Sequence, residues 1–106
     1  ELLTGWQSFN EQWTYHDENS GRAVRGWYSE AGKKYFFDPT SSIMTTGWRT
    51  IDHQRYYFDQ SGAMVTGWQK IHGKIYLFHK NGSLNLNTVV IQGKTYSFQS
   101  DGSLIQ

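Results

Sequence analysis

The sequence predicts an all-β protein, a β-solenoid of about five stacked β-hairpin repeats of 20–21 residues. Three observations point there. The dipeptide Gly-Trp recurs at Gly5-Trp6, Gly26-Trp27, Gly47-Trp48 and Gly67-Trp68, at spacings of 21, 21 and 20 residues. Five Trp, seven Tyr and six Phe supply almost half of a hydrophobic fraction of 37%, and aromatic side chains favour strands. No window carries a sustained period of 3.6, so no long helix is expected. A mean hydropathy of −0.68 beside so many rings concentrates apolar surface in a few large side chains. Several small cores suit that distribution better than one thick core.

The repeat divides a single domain, 1–106, into units of about 5–25, 26–46, 47–66, 67–86 and 87–106. Self-similarity at this period is the mark of a repeat architecture. Eight residues after each Gly of the dipeptide comes an aromatic-rich run. The copies are Trp13-Thr14-Tyr15-His16, Lys34-Tyr35-Phe36-Phe37, Arg55-Tyr56-Tyr57-Phe58, Ile75-Tyr76-Leu77-Phe78 and Thr95-Tyr96-Ser97-Phe98. A second break follows at Gly21, Ser42, Gly62, Gly82 and Gly102.

Each unit therefore consists of two short strands around a tight turn, at Asn10-Glu11, Ala31-Gly32, Asp52-His53, His72-Gly73 and Gln92-Gly93. Two-residue hairpin turns require positive φ, which Gly supplies without steric cost. In the third unit the turn pairs Ile51 with Gln54, or with Arg55 if the register slips by one; pattern alone leaves both open. Within the second strand, Tyr56 and Phe58 face one way while Arg55 and Tyr57 face the other. The regularly filled Phe and Tyr positions are expected to form the core between hairpins. The varying face, Tyr15, Phe36, Tyr57, Leu77 and Ser97, is expected to be partly exposed or turned to a ligand. Met44, Met64, Leu84 and Leu104 recur before each unit boundary and are expected to seal the junctions. The fifth unit carries Thr88 in place of Trp and reads as a terminal cap or degenerate copy. Since a lone hairpin is marginal in water, stability must come from stacking neighbours.

Charge and composition narrow the function. Ten Lys and Arg against nine Asp and Glu leave +1, with no basic run to favour nucleic acid. No apolar stretch approaches the roughly 20 residues of a membrane-spanning helix. The absence of Cys removes disulfides and thiolate metal sites. His16, His53, His72 and His79 occupy unrelated repeat positions, so no metal site is expected. Asp17, Asp38 and Asp59 recur at one strand end, where closing the following turn is a more natural role than paired-carboxylate hydrolysis. No catalytic residue and no cofactor is expected. The start at Glu1-Leu2-Leu3, directly before a repeat, suggests a piece of a longer protein.

The run Thr46-Gly47-Trp48, Tyr56-Tyr57-Phe58-Asp59 and Gly62-Ala63-Met64-Val65-Thr66-Gly67-Trp68 resembles the cell-wall-binding repeat superfamily. Its branches include choline-binding repeats of streptococcal surface proteins and phage lysins, glucan-binding repeats of glucansucrases, and receptor-binding repeats of clostridial toxins. The resemblance implies stacked hairpins with ligand sites between successive units. It assigns the first aromatic wall to Trp6, Trp27, Trp48 and Trp68. The second falls on Trp13 alone, the position holding Lys34, Arg55, Ile75 and Thr95 in later units. The third falls on Tyr15, Phe36 and Tyr57, and less well on Leu77. Only Trp6, Trp13 and Phe36 make a full set, whereas Gly73-Lys74-Ile75-Tyr76 and Gly93-Lys94-Thr95-Tyr96 resemble the glucan and toxin branches more.

What the resemblance implies is a non-catalytic module anchoring a secreted protein of a Gram-positive bacterium or its phage to a surface glycan or cell-wall glycopolymer. Choline on teichoic acid is the second expectation, resting on Trp6 and Trp13. A structural spacer, or a homodimer formed through open hairpin ends, is the third.

Overall fold

A computed structural model describes residues 3–105. Glu1, Leu2 and Gln106, at the ends of the expected 1–106 domain, lie outside the described residues. The regular structure among the described residues is ten strands in five two-stranded antiparallel sheets. They are β1 (Gly5–Phe9) with β2 (Gln12–His16), β3 (Gly26–Glu30) with β4 (Lys33–Phe37), and β5 (Gly47–Ile51) with β6 (Gln54–Phe58). β7 (Gly67–Ile71) pairs with β8 (Lys74–Phe78), and β9 (Val89–Ile91) with β10 (Lys94–Tyr96). The all-β hairpin repeat is therefore as expected, with the last hairpin cut to three residues a strand.

All five turns fall where the sequence put them. Both residues of each carry positive φ, from His72 at 50° to Gly73 at 82°, the backbone of a type I′ turn matched to strand twist. This fixes the register that pattern left open. Phe9 pairs with Gln12, Glu30 with Lys33, Ile71 with Lys74 and Ile91 with Lys94. β5 ends at Ile51 and β6 begins at Gln54, so the third hairpin has the same two-residue loop.

The register also decides the faces. Trp6 lies opposite Tyr15, Trp27 opposite Phe36, and Trp68 opposite Leu77, so each Trp shares a face with its partner. The varying face is partly exposed, as expected, at Tyr15, Tyr57, Leu77 and Ser97, and buried at Phe36. Phe36 is buried at 6% and meets Trp27 edge-on with ring centroids 5.1 Å apart. Tyr15 packs edge-on to Trp6 at 5.1 Å, as Tyr57 does to Trp48 at 5.1 Å. A Trp on one strand covers part of the side chain across from it, most completely at Phe36. Three of the four core Phe positions are as expected: Phe37 and Phe58 are 0% exposed and Phe78 is 2% exposed, whereas Phe98 in the last hairpin is half-buried.

The fold divides into two compact units, Glu1–Gly47 with Phe58–Met64, and Trp48–Tyr57 with Val65–Gln106. The core of the first gathers Tyr35, Phe37 and Ala63 with Trp6, Tyr15, Val24, Tyr28 and Met44. That of the second gathers Ile71, Tyr76, Phe78 and Leu84 with Trp48, Tyr57 and Val65. In both, the segment linking two hairpins acts as a stitch. The Met44 amide donates to the Trp13 carbonyl of the preceding hairpin, while the Thr45 amide donates to Phe36 of its own. Leu84 and Asn85 repeat this on Arg55 and Leu77. The junction-sealing role expected of Met44 and Leu84 thus has a main-chain part and a side-chain part.

The second break explains the change of period. Asp17 and Asp38 each accept two amides of the loop that follows, from Asn19 and Ser20 and from Thr40 and Ser41. Their loops close with amide-to-carbonyl bonds from Asp17 to Arg22 and from Asp38 to Ile43. From the third repeat the loop is one residue tighter, closing from Asp59 to Ala63, His79 to Ser83 and Gln99 to Ser103. Asp59 accepts from Ser61 and Ala63, while Asn81 and Asp101 do the same work for Ser83 and Ser103. The recurring acids are turn closers, as the sequence suggested.

Candidate ligand site

The hairpin register sets Trp6, Trp13 and Tyr15 on one face of the first hairpin. Tyr28, Glu30, Tyr35 and Phe37 share the facing side of the second. Trp6 sits at the centre of this meeting. Its ring lies 5.1 Å from Tyr35 at 66°, 5.8 Å from Phe37 at 40°, and 6.4 Å from Trp13 at 74°. The edge-to-face contacts with Tyr35 and Trp13 are favoured by the ring quadrupoles, and the Phe37 contact is tilted.

A cleft of about 430 Å³ opens beside them, lined by Trp6, Trp13, Tyr35, Met44, Gln60 and Ser61. Trp13 is 41% exposed and forms its outer wall. No lining residue is charged. The cleft presents aromatic faces and a thioether, with two neutral polar groups at one edge.

Glu30 lies behind the aromatic wall. Its carboxylate accepts from Trp6 Nε1 at 3.2 Å and from the Tyr28 hydroxyl at 2.8 Å. Burial, followed by its hydrogen bonds with Tyr15 and Glu30, pushes the Tyr28 phenol far above its ordinary value, so Tyr28 remains a neutral donor. The rings of Tyr15 and Tyr28 stack at 4.6 Å. Donation of the indole N–H to an anion fixes the ring's orientation and makes its face more electron-rich. A cation in the cleft would therefore meet negative ring faces with a carboxylate beyond them.

The other Trp residues repeat the docking. Trp27 tilts on Phe58 at 5.9 Å. Trp48 meets Tyr76 at 4.9 Å and Phe78 at 5.7 Å, and Trp68 meets Tyr96 at 5.1 Å and Phe98 at 6.0 Å. Trp27 and Trp68 keep 42% of their surface exposed. Among the described residues, no group of three or more His, Cys, Asp or Glu is placed to hold a metal. His16 instead bonds locally, to the Gly21 carbonyl and the Thr14 hydroxyl.

The model of the choline-binding repeat matches residues 3–44 and 45–88. The chain belongs to the choline-binding repeat family. Solved choline-binding proteins share its fold. Choline binding protein F from Streptococcus pneumoniae, solved in the presence of a peptidoglycan analogue, is 36% identical with a TM-score of 0.90, over 97% of this chain and 34% of its own. CbpJ from Streptococcus pneumoniae TIGR4 is 34% identical with a TM-score of 0.90, over 97% of this chain and 35% of its own. The cell wall endolysin of phage Cp-1, complexed with choline, shares the fold at 22% identity and a TM-score of 0.75, over 99% of this chain and 31% of its own. The chain thus spans about a third of the length of these proteins. No match is found among curated protein sequences.

Within this choline-binding repeat, the structure brings together Trp6 and Trp13 of the sequence-derived residues, but the third wall differs. The adjacent hairpin contributes Tyr35, not Phe36, because Phe36 faces the opposite side with Trp27. Tyr15 packs against Trp6 and is not among the residues lining the cleft, and Tyr57 packs in the same way against Trp48. Sequence reasoning missed Glu30, whose position is filled by Ile51, Ile71 and Ile91 in later hairpins. That lone acid among isoleucines was the available signal.

Proposed function

We propose that this module docks its parent protein at a bacterial cell surface by binding choline groups displayed on a cell-wall polymer. The principal seat is formed by Trp6, Trp13 and Tyr35 over Met44. The convergence of three rings around an uncharged cleft is the observation that carries this assignment. A quaternary ammonium cannot donate hydrogen bonds, so a wall of ring faces suits it and a polar lining adds little. Three contacts of about 0.5–2 kcal/mol each are sufficient for a roughly millimolar site, which needs about 4 kcal/mol. Choline repeated along a polymer would raise that by avidity, with Trp27 and Trp68 as weaker platforms.

The repeats themselves do no chemistry in this scheme. Any catalysis would belong to another part of a longer protein acting at the surface of a Gram-positive cell, whether made by the bacterium or its phage. The test is a tryptophan-fluorescence titration with choline, with glucose oligomers in parallel, on the wild type and Trp13→Ala. Choline should give a saturable change that Trp13→Ala weakens at least 10-fold while the urea midpoint stays close to wild type. A saturable response to the glucan alone, or an unaltered choline curve in Trp13→Ala, would reject the assignment.

A further inference from the structure

The third junction reproduces the first almost ring for ring. Trp48 stands for Trp6, Tyr76 for Tyr35, Phe78 for Phe37, Tyr57 for Tyr15 and Leu84 for Met44. Trp48 meets Tyr76 at 4.9 Å and 69°, and Trp6 meets Tyr35 at 5.1 Å and 66°. The contacts with Phe78 and Phe37 are 5.7 and 5.8 Å, and those with Tyr57 and Tyr15 are both 5.1 Å. The main chain is matched as well. Leu84 donates to the Arg55 carbonyl at 2.8 Å as Met44 donates to that of Trp13 at 2.7 Å. Even the loop glycines correspond: an added Cβ would strike Met44 from Gly62 and Leu84 from Gly102.

At the outer wall the correspondence breaks. Where the first junction has Trp13, the third has Arg55, and its guanidinium carbon lies 4.4 Å from the centre of the Trp48 ring. This is inside the roughly 6 Å reach of a cation–π contact. The chain thus places a cation of its own against the Trp48 ring, the counterpart of the ring offered at the first junction.

We propose that Arg55 is a built-in occupant of the Trp48–Tyr76 seat, that it closes this seat to quaternary ammonium ligands, and that the seat is a latent choline site which Arg55→Trp opens. The proposal deepens the function proposed above and rests on it. A tethered cation competes at a high effective concentration, so a free ligand of millimolar affinity is displaced. Arg suits this role better than Lys, because its planar group stacks on a ring and keeps its charge at every physiological pH. Repulsion between guanidinium and ammonium adds to the exclusion, and the substitution also costs the ligand its outer wall. The repeat position held by Ser61 in the first junction is held by Asp101, which pairs with Lys74 at 3.6 Å.

Four forms of the full chain decide the matter by calorimetric choline titration: wild type, Arg55→Trp, Trp13→Ala and the double variant. Wild type should bind one strong equivalent, Arg55→Trp two, Trp13→Ala none, and the double variant one, now at the third junction. A double variant that melts cooperatively yet binds no choline overturns the proposal. If wild type fails to bind but Arg55→Trp binds one equivalent, the first-junction assignment falls and the latent seat stands.

A second measurement needs no substitution. In NMR spectra of the wild type, the Arg55 δ-methylene protons should be shifted upfield by the Trp48 ring current and stay there as choline is added. Unshifted Arg55 protons, or a Trp48 indole resonance that moves with choline, would overturn the proposal even if Arg55→Trp does not fold.

Discussion

The first and third junctions are built on one plan and offer a cation opposite things. At the first, Trp13 stands open beside Trp6, and Glu30 anchors the indole from behind. At the third, Arg55 covers Trp48, and the position of Glu30 is taken by Ile71, a buried core residue at 7% exposure. Tyr28, which holds Glu30 by a hydrogen bond, gives way to Gln69. Electron-rich walls and an acid occur together at one junction; a basic residue and an aliphatic floor occur together at the other. The lesson is that the ring framework belongs to the fold and is shared by both junctions, while the side chains around it differ in charge and aromaticity.

Removing the central rings should separate those two roles most sharply. Trp6→Ala and Trp48→Ala should each cost about 2–3 kcal/mol, somewhat below the loss of a fully buried ring because both Trp residues are only half buried. Urea unfolding should report similar losses, but choline titration should collapse only for Trp6→Ala. Equal loss of binding in both variants would mean the two junctions are not functionally distinct.

The two loop types can be broken next. Gly62 and Gly102 have φ of 89° and 91°, and a Cβ there would come within 2.3 Å of Met44 and 2.5 Å of Leu84. Gly62→Ala and Gly102→Ala should therefore each destabilise by about 2 kcal/mol, from left-handed strain plus displaced core. The longer loop tolerates Ser42 at φ 66°, so Ser42→Gly should shift the midpoint by less than about 1 kcal/mol. Comparable losses in all three would argue against the tighter loop being the constrained one.

Smaller effects refine the electrostatics. Glu30→Gln keeps an acceptor for Trp6 but removes the charge, and choline affinity should fall by about 2- to 5-fold, less so in high salt. An unchanged affinity would confine Glu30 to holding the ring. Smallest of all is the acid response of the loops. Amides of Ser20 and Asn19 hold Asp17 below its ordinary value of 3.8, and the hydroxyl and amide of Ser103 do the same for Asp101. At Asp59 burial pushes upward but is outweighed by bonds from Ser61 and Ala63. Groups with depressed folded values stabilise above the unfolded value and lose that contribution as pH falls through the folded one. Melting temperatures should therefore drop on acidification below about pH 4, with a shallower fall in Asp17→Asn.

Much of this was legible in the sequence. Gly-Trp spacing and paired turn residues located every hairpin, because type I′ turns admit few residues and the aromatic positions repeat. The burial of Phe37, Phe58 and Phe78 followed from period-2 alternation. The third wall was misplaced because alternation gives two faces without saying which meets the neighbouring hairpin. Once Glu30 pairs with Lys33, Trp27 and Phe36 must share a side, and Tyr35 must turn the other way. Arg55 was harder still. A long basic chain can swing into solvent or lie along a ring, and nothing in a linear pattern chooses between them.

The stitch from Met44 to Trp13, repeated from Leu84 to Arg55, is made entirely by main chain. Its strength does not depend on which side chain the accepting residue carries. The position beside each Trp is therefore a socket that can exchange indole, guanidinium or aliphatic chain without unpicking the hairpins around it. On the function proposed above, a single codon would be enough to open or close a seat in a lineage of such repeats. Grip on a polymer would then be tuned by changing valency, one junction at a time, while the scaffold is inherited intact.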